Sequence, residues 1–203
     1  MSSDKSESFN HNVCILKPLI ALTGGIGSGK SYVANLLRKR GIPVYDCDAA
    51  AKRLMREDEQ LQAKLTDLIG PDTYNGGQLQ KRVVAEYLLK SEVHKQQLNA
   101  VVHPAVANDF LHSGLQWLES AILFESGFNR LVNFQYIVCV MASLSVRRER
   151  ICQRDHISPQ QAQQWIEAQW PQEKTAAASH FIINNDGVQD IDQQLDKILN
   201  QII

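Results

Sequence analysis

Residues 24–31 of the chain read GGIGSGKS, and this segment decides the fold. It matches the pattern G-x-x-x-x-G-K-[ST], in which glycines let successive backbone N–H groups point into one concavity. The apolar run 19–22 precedes it, and Val33, Leu36 and Leu37 follow it at helical spacing. The N-terminus of that helix would add partial positive charge to the concavity. We therefore predict a phosphate-binding loop, hereafter the phosphate loop, between a buried strand and a helix.

The side chains of the phosphate loop have separate predicted tasks. Lys30 can reach the β- and γ-phosphates of a nucleotide, and the hydroxyl of Ser31 can bind Mg²⁺. The alternative is a glycine-rich turn that only connects strand to helix, and the presence of both flanking elements argues against it. ATP and Mg²⁺ are the expected ligands, and the predicted nucleotide-binding residues are Gly25, Gly27, Ser28, Gly29, Lys30, Ser31 and Tyr32.

The sequence beyond the phosphate loop indicates an α/β fold. A second strand candidate, 42–45, ends at Asp46, so that strand, loop, helix and strand form one βαβ unit. Apolar residues at helical spacing in 191–202 predict a closing helix. The remaining strand candidates are 121–124, 136–140 and 181–183. This order of elements predicts a P-loop NTPase-type parallel sheet flanked by helices.

Two additions to this core are predicted. The segment 51–115 has helical patterns, turn signals at 70–71 and 76–77, and no strand candidate, which indicates a helical insertion. Ser158-Pro159 is typical of a helix N-cap followed by proline at the first helical position, within a short helical lid. The predicted boundaries are 1–16 for a disordered extension, 17–50, 116–145 and 176–203 for the core of a single domain, 51–115 for the insertion and 146–175 for the lid.

Two aspartates follow the second predicted strand. Asp46 and Asp48 stand where ligands bind in doubly wound sheets, so a carboxylate here can face both Mg²⁺ and an acceptor hydroxyl. The alternative is a helix N-cap, a common task for aspartate at this position. For Asp46 both interpretations stay open, whereas for Asp48 the functional one is favoured.

The densest basic cluster of the chain lies within 147–154. Arg150 and Arg154 are four residues apart and share one face of a predicted helix. On a mobile segment they could close over the transferring phosphates and exclude water, which a kinase needs in order to avoid hydrolysing ATP. The alternative is a solvated helix face paired with Glu149 and Asp155. The phosphate loop favours the lid interpretation.

The bulk composition argues against several classes of partner. The formal net charge is −1, which does not indicate nucleic-acid binding. No apolar run approaches the roughly 18 residues of a membrane span, and no signal peptide is visible. The four cysteines are scattered without a C-x-x-C pair, which is typical of a reduced protein. We expect a cytoplasmic location, with neither nucleic acid nor membrane as a partner.

The phosphate loop alone does not separate a kinase from a nucleotide-dependent switch. A GTPase would carry an N-K-x-D segment, and the sequence has none. An energy-coupling ATPase has an acidic Mg²⁺ ligand at the end of a later strand, and Glu125 after 121–124 is the only candidate. An ATP-binding switch that hydrolyses slowly therefore stays open as the alternative from a different class.

With these motifs in view, the chain resembles the dephospho-CoA kinase family, one of the P-loop kinases related to nucleoside-monophosphate kinases. The resemblance runs from about Leu19 to Gly187, and its specificity comes from the order and spacing of the motifs. Those motifs are residues 22–31, Asp46-Cys47-Asp48, His103-Pro104, residues 123–127, Gln153-Arg154-Asp155, Ala168-Gln169 and residues 182–185.

The resemblance implies transfer of the ATP γ-phosphate to the 3′-hydroxyl of dephospho-CoA, the last step of coenzyme A synthesis. Asp48 would orient or deprotonate that hydroxyl, and Arg150 and Arg154 would act from the lid. The insertion with His103 would form the acceptor wall. The implied catalytic residues are Lys30, Asp48, Arg150 and Arg154, the implied substrate-binding residues are Asp46, Asp48, Lys81, His103 and Glu125, and Ser31 is the implied metal ligand.

The sequence departs from the family pattern at three places. Ala121-Ile122 stands where a proline is usual, Ser179-His180 where Ala-Asp is usual, and Lys81-Arg82 where one arginine is usual. These differences concern acceptor contacts, and a nucleoside or nucleotide kinase is the neighbouring alternative. A monomer or small homo-oligomer is expected.

Overall fold

The computed structural model describes residues 17–202, so the N-terminal extension expected at 1–16 lies outside the described residues. Two short 3₁₀ helices, Pro71–Thr73 and Phe128–Arg130, interrupt the main elements. In chain order the main strands and helices are β1 Ile20–Thr23, α1 Lys30–Lys39, β2 Val44–Asp46, α2 Cys47–Glu57, α3 Glu59–Ile69, β3 Tyr74–Asn75, β4 Gln78–Leu79, α4 Lys81–Leu89, α5 Glu92–His112, β5 Trp117–Glu119, β6 Tyr136–Met141, α6 Leu144–Asp155, α7 Pro159–Glu167, α8 Gln172–Ala177, β7 Phe181–Asn184 and α9 Ile191–Ile202.

The main sheet has five strands in the order β2-β5-β1-β6-β7, and every pair is parallel. In the central register Ala21 of β1 lies between Leu118 of β5 and Ile137 of β6. Because all strands run the same way, their carboxyl ends meet at one edge of the sheet, where the phosphate loop follows β1. The predicted parallel sheet flanked by helices is confirmed.

Two apolar cores cover the two faces of the sheet. On one face, Leu37 of α1 and Leu195 of α9 are fully buried against β1 and β6. On the other face, α2 to α5 pack their apolar sides against β5, and Phe110 of α5 is fully buried there. Burying a side chain of this size stabilises a fold by roughly 1.5–3 kcal/mol. The phosphate loop is thus anchored at both of its ends by packed elements.

The strand predicted at 121–124 is wrong. The strand of this region is β5, which begins four residues earlier, and 121–127 form a series of turns. Leu123 is fully buried, in the apolar cluster that the helices α2 to α5 form with residues of the sheet. The apolar character of 121–124 therefore reflects a buried turn. The strand itself, β5, ends at the carboxylate-bearing residue Glu119.

The expectation that 51–115 lacks strands is also wrong. β3 and β4 form a small antiparallel hairpin, with Tyr74 paired to Leu79. Gly76 and Gly77 connect the two strands with φ of 57° and 78°, the left-handed conformation that a two-residue hairpin turn requires. Strands of two residues are too short to show a period of two in sequence.

A polar network joins the helices α2 and α5 to the edge strand β2 of the sheet. The hydroxyl of Tyr45 in β2 and the Nη2 of Arg53 in α2 both donate to Oδ2 of Asp109 in α5, each over 2.6 Å. Partial burial of Asp109 opposes its ionisation, but these two hydrogen bonds outweigh it and hold its pKa below the usual range. The network fixes α5 relative to the start of α2.

The segment after β6 forms three helices, α6 to α8. Ile151, Ala162 and Ile166 make a small buried cluster, and Ile26 of the phosphate loop packs against it. Ser158 caps α7 by accepting from the backbone N–H of Gln161, with Pro159 in the first turn, as predicted. No helix within 17–202 combines the length and apolar character needed to cross a membrane.

Candidate active site

A cleft of about 930 Å³ opens at the carboxyl edge of the sheet. It brings together side chains from four parts of the chain, namely the phosphate loop, the start of α2, the end of β5 and the helix α6. Its ionisable lining residues are Lys30, Asp46, Asp48, Lys52, Glu119, Arg150 and Arg154. All four residues that the sequence predicted for catalysis, Lys30, Asp48, Arg150 and Arg154, therefore line one cavity.

The phosphate loop has a conformation that only glycine adopts easily. Gly27 and Gly29 have φ of 78° and 90°, and Gly29 occupies the N-cap position of α1. A Cβ on Gly29 would also collide with the side chain amide of Asn185. That amide donates to the carbonyl of Ser28 over 2.8 Å, so the loop is held from the β7 side.

Lys30 is the first residue of α1 and points toward the carboxylates of the cleft. Burial lowers its pKa from the usual lysine value, while the charges of Glu119 and Asp48 oppose that shift and those of Arg154 and Arg147 add to it. A bound polyphosphate would add negative charge beside this ammonium and favour its protonated form. The position suits a residue that binds phosphate.

Glu119 is a site residue that the sequence reasoning missed. The Oγ of Ser31 donates to its Oε1 over 2.8 Å, and the carboxylate is only 9% exposed. It ends β5 next to the phosphate loop, which is the position expected for an acidic Mg²⁺ ligand and which the sequence analysis gave to Glu125. The available signal was the run Trp117-Leu118-Glu119, an apolar pair that ends in an acid.

The two aspartates of α2 differ in what they contact. Asp46 is the N-cap of α2, and its Oδ1 accepts from the backbone N–H of Ala49 over 2.9 Å. Asp48 lies in the first helical turn and faces the cleft near Lys30. The capping interpretation thus describes a contact of Asp46, whereas the carboxylate of Asp48 is exposed to the cleft.

The two arginines of α6 that line the cleft, Arg150 and Arg154, also differ. Arg150 donates through Nη2 to the carbonyl of Asn185 over 2.9 Å and through Nη1, more weakly, to carbonyls of the phosphate loop. Arg154 is exposed and pairs with its neighbour Asp155 over 2.7 Å. Arg150 therefore contacts the phosphate loop, whereas Arg154 lines the cleft with an exposed side chain.

A second cavity of about 510 Å³ adjoins the cleft, and Gln169 lines both. The helix α5 presents one face to it, since its lining residues there are Glu92, Lys95, Gln96, Asn99, Ala100, His103 and Pro104. Burial lowers the pKa of His103, although a backbone hydrogen bond at Ser126 and the charge of Asp48 oppose the shift. Glu125 also lines this cavity and accepts from the backbone N–H of Trp170 over 3.1 Å.

Four predicted site residues line neither of these cavities, namely Gly25, Ser28, Tyr32 and Lys81. Lys81 is exposed at the start of α4 and lines neither of them. Tyr32 is 54% exposed and lines a third cavity of about 550 Å³, together with Asn185 and Asp192. The roles of these residues, like those of the residues within the cleft, remain predictions.

Comparison with known proteins identifies the relatives of this chain. A family model described as dephospho-CoA kinase matches residues 18–190. A dephospho-CoA kinase of Bacteroides fragilis (strain YCH46) is 40% identical over 179 residues, which cover 83% of this chain and 84% of that protein.

Two solved structures have the same fold. The protein TT1252 of Thermus thermophilus superposes with a TM-score of 0.76 and 32% identity, covering 93% of this chain and all of that one (100%). The dephospho-CoA kinase from Campylobacter jejuni gives a TM-score of 0.62 at 19% identity, with 91% and 96% covered.

Proposed function

Because this chain belongs to the dephospho-CoA kinase family and uses ATP to phosphorylate dephospho-CoA in coenzyme A biosynthesis, we propose that its two adjoining cavities hold the two substrates. ATP would lie with its phosphates on the phosphate loop, and dephospho-CoA would enter the cavity along α5. The observation that carries this placement is the convergence of Lys30, Ser31, Asp48 and Glu119 in a cleft that shares Gln169 with the second cavity.

Phosphoryl transfer needs positioning and charge neutralisation more than covalent chemistry. The loop amides and the ammonium of Lys30 would bind the β- and γ-phosphates, where negative charge develops in the transition state. Asp48 would accept the proton of the attacking 3′-hydroxyl and orient its oxygen toward the γ-phosphorus. Arg150 would keep the loop in place, and Arg154 would cover the phosphates and exclude water.

The oxygen donors of the cleft fit Mg²⁺, which prefers carboxylate, hydroxyl, phosphate and water oxygens. Within 17–202 no group of three or more His, Cys, Asp and Glu side chains could hold a metal alone, so the nucleotide would complete the site. Ser31 and Glu119 would hold the ion, directly or through water. When bound, Mg²⁺ neutralises charge between the β- and γ-phosphates.

Glu119→Gln is expected to raise the Mg²⁺ concentration needed for half-maximal turnover by about tenfold or more, because it removes a buried negative charge at the metal site. The measurement is initial rate against free Mg²⁺ at saturating ATP and dephospho-CoA. Glu125→Gln is the matched control, since its carboxylate lines the other cavity. An unchanged Mg²⁺ requirement in Glu119→Gln, with a raised one in Glu125→Gln, would return the metal role to Glu125.

His103→Ala is expected to raise KM for dephospho-CoA by about tenfold while leaving KM for ATP unchanged. The lowered pKa keeps the imidazole neutral near pH 7, so it can hydrogen-bond the acceptor without an unpaired charge. Steady-state kinetics with each substrate varied in turn measures both constants. His112→Ala on the same helix is the control, because His112 is exposed outside the cavity. A larger effect on KM for ATP would contradict this placement of dephospho-CoA.

We further propose that 51–115 acts as the acceptor-binding insertion and 146–175 as the lid of a single domain, with Asp46, Lys81 and Glu125 supplying further acceptor contacts. The proposal includes a cytoplasmic location, no nucleic-acid partner and a monomer or small homo-oligomer. The net charge of −1 supports the absence of a nucleic-acid partner.

A further inference from the structure

Arg147 is the buried member of the basic cluster on α6. It is only 4% exposed, whereas its neighbour Arg148 is exposed. Its Nε donates to the carbonyl of Ile26 over 2.9 Å. The backbone N–H of Ile26 in turn donates to the Oε1 of Gln169 over 2.7 Å. Both peptide groups of Ile26, in the middle of the phosphate loop, are therefore held by side chains from the lid region.

Two glycines of the loop lie directly against Arg147. A Cβ on Gly27 would come within 2.6 Å of the carbonyl oxygen of Arg147, and a Cβ on Gly25 would collide with its Nη2. A backbone this close to another residue leaves no room for a side chain. The loop thus rests on Arg147 along several residues, and its shape depends on where that arginine is placed.

The guanidinium of Arg147 carries a charge that the described residues do not balance by direct contact. Its Nη2 is buried and has no hydrogen-bond partner among residues 17–202, and no carboxylate of that range forms an ion pair with it. Burial lowers the pKa of this arginine, with the charge of Glu173 acting against the shift. Arginine nevertheless stays protonated in proteins, so a positive charge remains under the loop.

The field of this charge reaches the phosphate side of the loop, since Arg147 contributes to the lowered pKa of Lys30. A buried cation without a partner is unfavourable unless an anion compensates it. The phosphates that bind on the opposite side of the loop are such an anion.

We propose that Arg147 is a positioning residue for phosphate binding. It fixes the conformation of the phosphate loop through Ile26, and its positive charge beneath the loop is balanced by a polyphosphate bound on the other side. This inference rests on the proposed placement of ATP. Arg147 acts without touching the substrate, because it lies beneath the loop and does not line the cleft.

The test is isothermal titration of the full chain with ADP and with inorganic tripolyphosphate. Arg147→Gln removes the charge and is expected to weaken both ligands about tenfold, with a flatter dependence of affinity on salt. Arg147→Lys keeps the charge without the planar Nε donor and is expected to weaken them about threefold. Arg148→Gln removes a charge from the exposed side of the same helix and is expected to bind both ligands as the unmodified chain does.

A purely structural arginine would give a different pattern. In that case a variant at 147 would lower the melting temperature, while the folded molecules would bind ADP with unchanged affinity. Unchanged affinity for ADP in either Arg147 variant, together with a lowered melting temperature, would overturn the proposal. An equal loss of affinity in Arg148→Gln would overturn it as well. If Arg147→Gln melts below the assay temperature, Arg147→Lys decides by the same criterion.

Lys30→Ala in the same titration separates this inference from the proposed function. If Lys30→Ala binds tripolyphosphate normally, the placement of ATP on the loop is wrong and the inference fails with it. If Lys30→Ala binds weakly and Arg147→Gln binds normally, only the role of Arg147 is wrong.

Discussion

Lys30→Ala is expected to lower kcat for dephospho-CoA phosphorylation by about a thousandfold or more. The ammonium stands at the start of α1 inside the cleft, where it faces the charge that develops on the transferring phosphoryl group. Alanine leaves the loop backbone and its glycines in place, so the loss should come from charge and not from a collapsed site. ADP release with dephospho-CoA as acceptor measures kcat.

Lys39→Ala is the matched control for this substitution. Lys39 lies in the last turn of the same helix and is exposed away from the cleft. Its variant is expected to turn over normally, apart from a small stability effect of a lost basic residue near the helix C-terminus. Retention of more than a tenth of the activity in Lys30→Ala would contradict the assignment of Lys30 to phosphate stabilisation.

Asp48→Asn is expected to lower kcat by about 10²- to 10⁴-fold while the affinity for ADP stays close to that of the unmodified chain. The amide has the same shape as the carboxylate but cannot accept the proton of the attacking hydroxyl. Because Asp48 lies on α2 and not on the phosphate loop, nucleotide binding should survive its loss. Single-turnover rates and ADP titration separate the two quantities.

Asp58→Asn serves as the control for Asp48→Asn. Asp58 is the N-cap of α3 and accepts from the N–H groups of Gln60 and Leu61, contacts that an asparagine side chain also makes. Normal kcat is expected there. If Asp48→Asn also turned over normally, the proton acceptor would have to be another carboxylate of the cleft, and Glu119 would be the next to test.

The phosphate loop could be predicted from sequence because its chemistry is local. The glycines, Lys30 and Ser31 are consecutive, and the strand and helix on either side follow from short apolar patterns. Asp48 could be placed for a similar reason, since it follows a strand whose carboxyl end must meet the loop in a parallel sheet.

Glu119 could not be assigned in the same way, because its role depends on burial that the sequence does not display. The strand that carries it has three residues and ends on an acid, whereas the nearby run 121–124 has the apolar character of a buried strand. Leu123 is buried in the cluster that the helices of 51–115 form with residues of the sheet. Only the tertiary arrangement shows which apolar run forms a strand and which one forms a buried turn.

The arginines of α6 illustrate the same limit within one helix. Helical spacing places Arg150 and Arg154 on one face, within a basic cluster that also contains Arg147. It does not tell which of them is buried under the loop, which one bridges to Asn185 and which one stays exposed.

The strand order has a consequence for how the chain acquires its structure during synthesis. β1 and β2 are consecutive in sequence, yet β5 separates them in the sheet. β1 and β2 therefore do not pair with each other. The strand β5, which lies between them, is synthesised only after more than half of the polypeptide has been translated. Such long-range parallel pairing is slow to nucleate. A ribosome that stalls before residue 117 would hold helices able to form locally beside two edge-exposed strands, a state prone to aggregation.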